Sequence, residues 1–235
     1  MELYYSNGAG EKVGILTSEE YHHCMKVMRH RIGDELLITD GCGKLFNARI
    51  ISDDKIESSV EILRVAKEEI EPITNIHIAI APTKNNDRFE WFLEKATEIG
   101  VTEITPIFCA RSERDKIKYE RLNKILISAM KQSMRLWLPR LNDAIKFENF
   151  LKMGSVLSAE KFICHCRSEK LPALKEIYRS EKNVLILIGP EGDFTLEEIN
   201  LAERNGYASV SLINSRLRTE TAGLIAAHTI QMMNS

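Results

Sequence analysis

Asn183-Val184-Leu185-Ile186-Leu187-Ile188-Gly189-Pro190-Glu191-Gly192-Asp193-Phe194-Thr195-Leu196-Glu197-Glu198 is the stretch whose reading decides the fold. Val184 to Ile188 is an unbroken apolar run, the pattern of a strand covered on both faces of a sheet. Gly189, Pro190 and Gly192 force a turn directly after it. Thr195 followed three residues later by Glu198 is a capping box that starts a helix. A buried strand, a glycine loop and a capped helix place a ligand site at the carboxyl edge of a sheet. The plainer alternative is an ordinary strand-to-helix connection.

Outward from this stretch, strand and helix alternate. Upstream, Ile76 to Ala81 and Glu103 to Phe108 read as strands, as does Lys161 to Cys166. Phe89, Phe92, Leu93, Ala96 and Ile99 mark one face of a helix that Gly100 stops. Tyr119 to Leu136 reads as a long helix, closed off by Pro139, with Leu122, Ile125, Leu126, Ala129 and Ser133 inward. Leu171 to Tyr178 reads as a shorter one. Downstream, the helix from Thr195 ends at Gly206, Ser209 to Ile213 is a strand, and Thr221 to Met233 is the last helix. The alternation predicts an α/β domain with a mainly parallel sheet over residues 73–235.

The first 70 residues read differently. Gly33 to Gly41 contains a strand bounded by turn residues. Lys44 to Ile50 pairs with it across Gly41-Cys42-Gly43, and Ser58 to Leu63 is a third. A helix from Thr17 to Met28 interrupts them, with Tyr21, Cys24, Met25 and Met28 on one face. Short strands with one helix predict a small β-barrel over residues 1–70. Lys67-Glu68-Glu69-Ile70-Glu71-Pro72 reads as the linker.

Composition narrows the class. The 235 residues are 44% hydrophobic and 28% charged, with a net charge of −2, which is globular and gives no bulk attraction to nucleic acid. No apolar segment is long enough to span a membrane. The amino terminus lacks a signal-peptide pattern, and five cysteines without CxxC spacing predict reduced thiols in a cytoplasm. In Cys164-His165-Cys166, alternation on a strand puts the thiols on one face and the imidazole on the other. A small-residue strand therefore outranks a metal site, and no metal is expected.

Two loops carry the candidate chemistry. One is Gly189-Pro190-Glu191-Gly192-Asp193. The other, Asn214 to Ala222, crowds Arg216, Arg218, Thr219, Glu220 and Thr221 between a strand and a helix that Thr219 or Glu220 would cap. Neither matches a P-loop or a dinucleotide fingerprint. Glu191 and Asp193 would repel a pyrophosphate and suit a cofactor carrying positive charge, such as S-adenosylmethionine. Basic residues gather locally. Residues 111–140 hold nine against three acids, and Lys26, Arg29, His30 and Arg31 form a second patch within an otherwise acidic region. Two such patches point to phosphate-backbone binding, against the plain alternative of a solvated helix face.

The elements that carry a resemblance are His23 to Arg29, Lys84, Arg88 to Val101, Arg111-Ser112, Gln132-Ser133 with Arg135 and Pro139, Ile188 to Gly192 with Phe194, and Leu217 to Ala222. In this order they make the chain resemble the RsmE family of 16S ribosomal RNA uridine-N3 methyltransferases, within the SPOUT superfamily. The resemblance covers nearly the whole length. It implies a PUA-like barrel ahead of an α/β methyltransferase domain with a trefoil knot, a homodimer, and methylation of uridine 1498 of the small ribosomal subunit with S-adenosylmethionine. Carried onto this sequence, the cofactor pocket falls on Ile188, Gly189, Pro190, Glu191, Gly192, Leu212, Ile213 and Leu217. We assign Arg218 to orient the uracil, and Glu220 to organise Arg218 or accept the N3 proton. Lys26, Arg29, Arg31, Lys84, Arg88, Arg111, Arg114 and Arg135 are the candidate RNA contacts.

Two loops depart from the family pattern. Asp193 stands where a second glycine is usual, and Ile213 where glycine precedes the second loop, with Ser215-Arg216 following. A β-branched Ile213 resists φ > 0, so either that loop takes an ordinary backbone or cofactor affinity is reduced. The rival readings are a non-catalytic RNA-binding or ribosome-assembly protein that keeps the fold, and an α/β enzyme acting on a small nucleotide.

Overall fold

The computed structural model describes residues 2–6, 12–54, 58–153, 159–168 and 170–235. The chain forms two compact units, Met1–Glu71 with Ile127–Leu138, and Pro72–Leu126 with Pro139–Ser235.

In the first unit, β1 (Leu3–Tyr5), β2 (Val13–Leu16), β3 (Glu35–Thr39), β4 (Lys44–Ile50) and β5 (Ser58–Glu68) form one sheet in the order β1-β3-β4-β5-β2. Phe46, Ala48 and Ile50 on β4 and Leu36 and Ile38 on β3 alternate inward. They pack with Tyr4, Leu16, Cys24 and Val60. The outer strands are tied where Ser6 Oγ donates to the Ile15 carbonyl at 2.7 Å. The β3–β4 turn needs its glycines: Gly41 and Gly43 take φ of 72° and 93°, and a Cβ on Gly43 would sit 2.6 Å from the Trp137 ring.

Two expectations change here. Strand β5 runs on to Glu68, so the expected linker begins as sheet. The helix from Thr17 is α-helical only over α1 (Ser18–Tyr21), where Thr17 Oγ1 accepts from Glu20 N. It continues as a π-helix over His22–Val27. Wider i→i+5 bonding, seen where Met28 N donates to the His23 carbonyl, carries Met28 off the inner face. Tyr21 and Cys24 stay buried, while Met28 is exposed.

The second unit is built on parallel strands β6 (Ile76–Ile80), β7 (Glu103–Phe108), β8 (Arg140–Leu141), β9 (Ile145–Lys146), β10 (Glu160–Cys164), β11 (Val184–Ile188) and β12 (Ala208–Val210). Their order is β12-β10-β11-β6-β7-β8, with β9 also on β7, and every pairing is parallel. Strand β11 lies between β10 and β6, and all five of its residues are buried, as its apolar run predicts.

The helices of this unit follow their sequence signals. Helix α2 (Asn86–Ile99) is capped by Asn85 and ended by Gly100 at φ 102°. Helix α3 (Tyr119–Gln132), whose residues from Ile127 onward belong to the first unit, stops short of the expected Leu136, since Met134 turns to φ 56°. Helices α4 (Phe147–Met153), α5 (Leu174–Ile177), α6 (Leu196–Arg204) and α7 (Thr219–Met233) complete the set. Helix α5 is shorter than the expected 171–178, and β10 and β12 end at Cys164 and Val210. Strands β8 and β9 are too short to show a period, but Phe147, Phe150 and Leu151 of α4 carry helical spacing and are buried. Helix α7 packs closely through Gly223, where a Cβ would meet Phe92 at 2.7 Å and Ile80 at 2.9 Å.

Candidate functional site

The carboxyl ends of β10, β11 and β12 open on one pocket of about 320 Å³. Its walls are Cys164 to Cys166 after β10, Ile188 to Glu191 and Asp193 after β11, and Val210 to Ile213 with Ser215 to Thr219 and Ala222 after β12. Ligands bind where strand ends of an open parallel sheet leave a crevice, and this pocket lies at such a place.

The Gly189–Asp193 loop is held from several sides. Gly189 has no room for a side chain, since a Cβ would lie 3.0 Å from the Phe194 ring. The stem of Arg111 covers Gly192, with a Cβ there 3.2 Å from Arg111 Cδ, and its Nη1 donates to the Gly192 carbonyl at 2.9 Å. Lys84 N donates to Glu191 Oε1 at 2.9 Å, joining the loop after β6 to this one. Thr195 and Glu198 form the capping box expected at α6, and Glu198 Oε1 also accepts from Ala110 N at 2.8 Å. The two pocket loops are joined directly: Thr219 Oγ1, buried, donates to the Gly189 carbonyl at 3.0 Å.

Both departures from the family pattern have a local structural account. Asp193 takes φ 61°, the left-handed region that aspartate tolerates better than most side chains. Its carboxylate accepts from Phe194 N at 2.8 Å and Cys166 N at 3.2 Å and lies 3.7 Å from Arg167 Nε. Asp193 is thus engaged by the turn after β10. Ile213 is not among the described residues with positive φ and is exposed, so the second loop takes the ordinary backbone that the sequence left open.

The site residues read from sequence separate into three groups. Ile188, Gly189, Pro190, Glu191, Leu212, Ile213 and Leu217 line the pocket, and Gly192 sits behind it under Arg111. Arg218 also lines it. It precedes α7 as the N-cap residue in extended conformation, where the sequence suggested Thr219 or Glu220. Glu220 is buried and paired with Arg88 Nε at 3.8 Å rather than with Arg218, and its Oε2 has no partner. Among the candidate RNA contacts, Lys84 pairs with Glu113 at 2.7 Å, Arg114 with Asn86, and Arg111 with the Gly192 carbonyl. Arg135 is half-buried, and burial lowers its pKa. Lys26 lies over the Tyr21 ring, 5.7 Å from its centroid, and Arg29 and Arg31 are exposed.

One wall was not anticipated. Cys164-His165-Cys166 lines the pocket where β10 ends at Cys164, with Cys164 and His165 buried. The signal available in the sequence was a polar residue at the end of a buried strand. No group of three or more side chains placed to hold a metal occurs among the described residues. No helix among the described residues is long and apolar enough to cross a membrane.

The RNA methyltransferase domain model matches residues 69–231, and the RNA methyltransferase PUA domain model matches residues 16–63. Ribosomal RNA small subunit methyltransferase E of Bacillus subtilis is 31% identical over 229 residues, covering 92% of this chain and 88% of its own. The Rickettsia conorii protein of the same name is 29% identical, covering 95% and 91%. A probable rRNA-methyltransferase from Porphyromonas gingivalis superposes with a TM-score of 0.88 at 38% identity, covering 100% of this chain and 98% of its own. A Legionella pneumophila methyltransferase solved with bound S-adenosylmethionine superposes with a TM-score of 0.87 at 29% identity, with the same coverage. The chain belongs to the ribosomal RNA small subunit methyltransferase E family of RNA methyltransferases, with a PUA-like domain preceding an α/β domain on a parallel sheet.

Proposed function

We propose that this protein transfers a methyl group from S-adenosylmethionine to N3 of a uridine in 16S ribosomal RNA, uridine 1498 in the family's assignment. The observation that carries the reading is the pocket at the ends of β10, β11 and β12, whose two loops are tied by the Thr219–Gly189 bond. Its fit to the cofactor rests on this chain's own residues. Ile188, Val210, Leu212, Leu217 and Ala222 supply apolar walls for a nucleoside. Glu191 brings an acidic group suited to a cationic ligand, and the unpartnered Nε2 of His165 is a polar group in want of one. The cofactor supplies an electrophilic methyl on a sulfonium.

The protein's part is to orient the uracil and to manage the N3 proton. Arg218, which lines the pocket, offers a forked donor to the uracil oxygens as charge builds there. Glu220, buried and paired with Arg88, has Oε2 uncommitted and is assigned to accept the N3 proton. Lys26, Arg29 and Arg31 of a PUA-like module over residues 1–70 would meet phosphates, with the catalytic domain over 73–235. Cytoplasmic location, a homodimer and a trefoil knot belong to the same reading.

Mass mapping of 16S RNA from cells lacking the protein tests activity and target together. Loss of one N3-methyluridine is expected, and an unchanged map refutes the reading. Arg218→Ala is expected to lower turnover roughly 100-fold, as loss of a charge-stabilising donor does. Normal turnover would remove Arg218 from its role.

A further inference from the structure

His165 is a buried imidazole on the wall of the pocket, 8% exposed, and its Nε2 meets no partner. Such a group is costly unless something satisfies it. The ring's other nitrogen fixes its state. Nδ1 accepts a hydrogen bond from Arg167 N at 3.2 Å, so in a neutral ring the proton sits on Nε2. The turn that displays the ring is held by Asp193, through Cys166 N at 3.2 Å and Arg167 Nε at 3.7 Å. Backbone and side chain together therefore leave a single unpartnered, buried N–H donor on a residue of the pocket wall at the end of β10.

We propose that His165 Nε2–H donates a hydrogen bond to an oxygen acceptor of S-adenosylmethionine, a ribose hydroxyl or the methionine carboxylate, making His165 a cofactor-binding residue. This rests on the cofactor reading given above. Burial lowers the pKa of His165, outweighing the opposing pull of Asp193 and Glu203, so the ring stays neutral near pH 7. A neutral donor suits a ligand that already carries a sulfonium cation, which an imidazolium would repel. The nearby thiols do not compete for the role, since burial raises the pKa of Cys164 and Cys166 and leaves them protonated.

Two substitutions separate the ring's nitrogens. His165→Gln keeps a donor near the Nε2 position and loses the acceptor for Arg167 N. His165→Asn keeps a group near Nδ1 and loses the donor to the pocket. Titration calorimetry of the full chain with S-adenosylmethionine should give near-wild-type affinity for His165→Gln. For His165→Asn it should give about tenfold weaker binding, the size of one lost hydrogen bond to a ligand. 5′-Methylthioadenosine lacks the carboxylate. If the variant weakens its binding equally, the partner is the ribose; if only S-adenosylmethionine is affected, the partner is the carboxylate.

Nitrogen-15 spectra of wild-type protein should show His165 with a protonated Nε2 and an unprotonated Nδ1, and the Nε2 signal should move when cofactor is added. Wild-type affinity in His165→Asn, or equal losses in both variants without an Nε2 response, overturns the proposal. Absence of binding by the wild-type protein instead overturns the cofactor reading itself.

Discussion

Replacing Thr219 by valine removes one oxygen and keeps the shape of the side chain. That oxygen donates to the Gly189 carbonyl at 3.0 Å, and Thr219 is buried. Valine fills the same space, so no cavity opens, and the cost comes from a carbonyl left without its donor. Such a loss in a buried setting costs about 1–3 kcal/mol. For a domain of this size, a central value of about 2 kcal/mol lowers Tm by roughly 4–8 °C. The bond also joins the loop after β11 to the first residue of α7, so both walls of the pocket are loosened together. If about 1.4 kcal/mol of that tethering is needed for cofactor binding, the Kd for S-adenosylmethionine rises about tenfold. Thermal unfolding by circular dichroism and calorimetric titration measure the two effects. A variant that melts within a degree of wild type and binds with wild-type affinity would refute the view that this bond sets the pocket's geometry. Serine at 219 should keep the bond and most of the affinity.

Other changes test neighbouring arguments. Asp193→Ala keeps φ > 0 and loses the acceptor of Phe194 N and Cys166 N, whereas Asp193→Gly loses the acceptor but relieves the backbone. Urea midpoints should rank wild type above glycine and glycine above alanine by about 1 kcal/mol, and the reverse order would dismiss the strain argument. Arg111→Ala uncovers Gly192 and leaves its carbonyl only the longer bond from Arg167 Nη2 at 3.4 Å, so cofactor affinity should fall several-fold, and a defect confined to RNA binding would make Arg111 a phosphate contact instead. His77 is buried near Glu103 at 3.8 Å, and burial pushes it down to about 4, outweighing the pull of that carboxylate, with Arg140 adding to the depression. The folded state therefore keeps His77 neutral while the unfolded chain takes up a proton. Stability should fall as pH drops from about 6.5 towards 4, and His77→Gln should flatten that slope in urea titrations. Parallel profiles would show that another group governs it.

Much of the second unit was legible because its signals are local. The apolar run Val184–Ile188, the Thr195–Glu198 box and the Gly100 stop each act within a few residues, and each stands where the sequence placed it. Elements with too few residues for a period, such as β8 and β9, were not legible. Neither was the π-helical continuation of α1, where an α-period fitted the same apolar residues.

At the pocket the sequence by itself determined the chemistry on offer: two loops after buried strands, glycines where backbone must pass closely, acids unsuited to phosphate, and arginines beside a helix start. Tertiary structure decided how those groups are spent. Arg111 and Lys84 look like free cations in sequence, yet one covers Gly192 and the other pairs with Glu113. Asp193 looks like a misplaced acid and instead holds the turn that presents His165. Glu220 lies two residues from Arg218 but pairs with Arg88. A charge's partner is fixed by which strand ends meet, and parallel strands bring together residues dozens to more than a hundred positions apart. No local pattern of apolar spacing or turn chemistry carries that information.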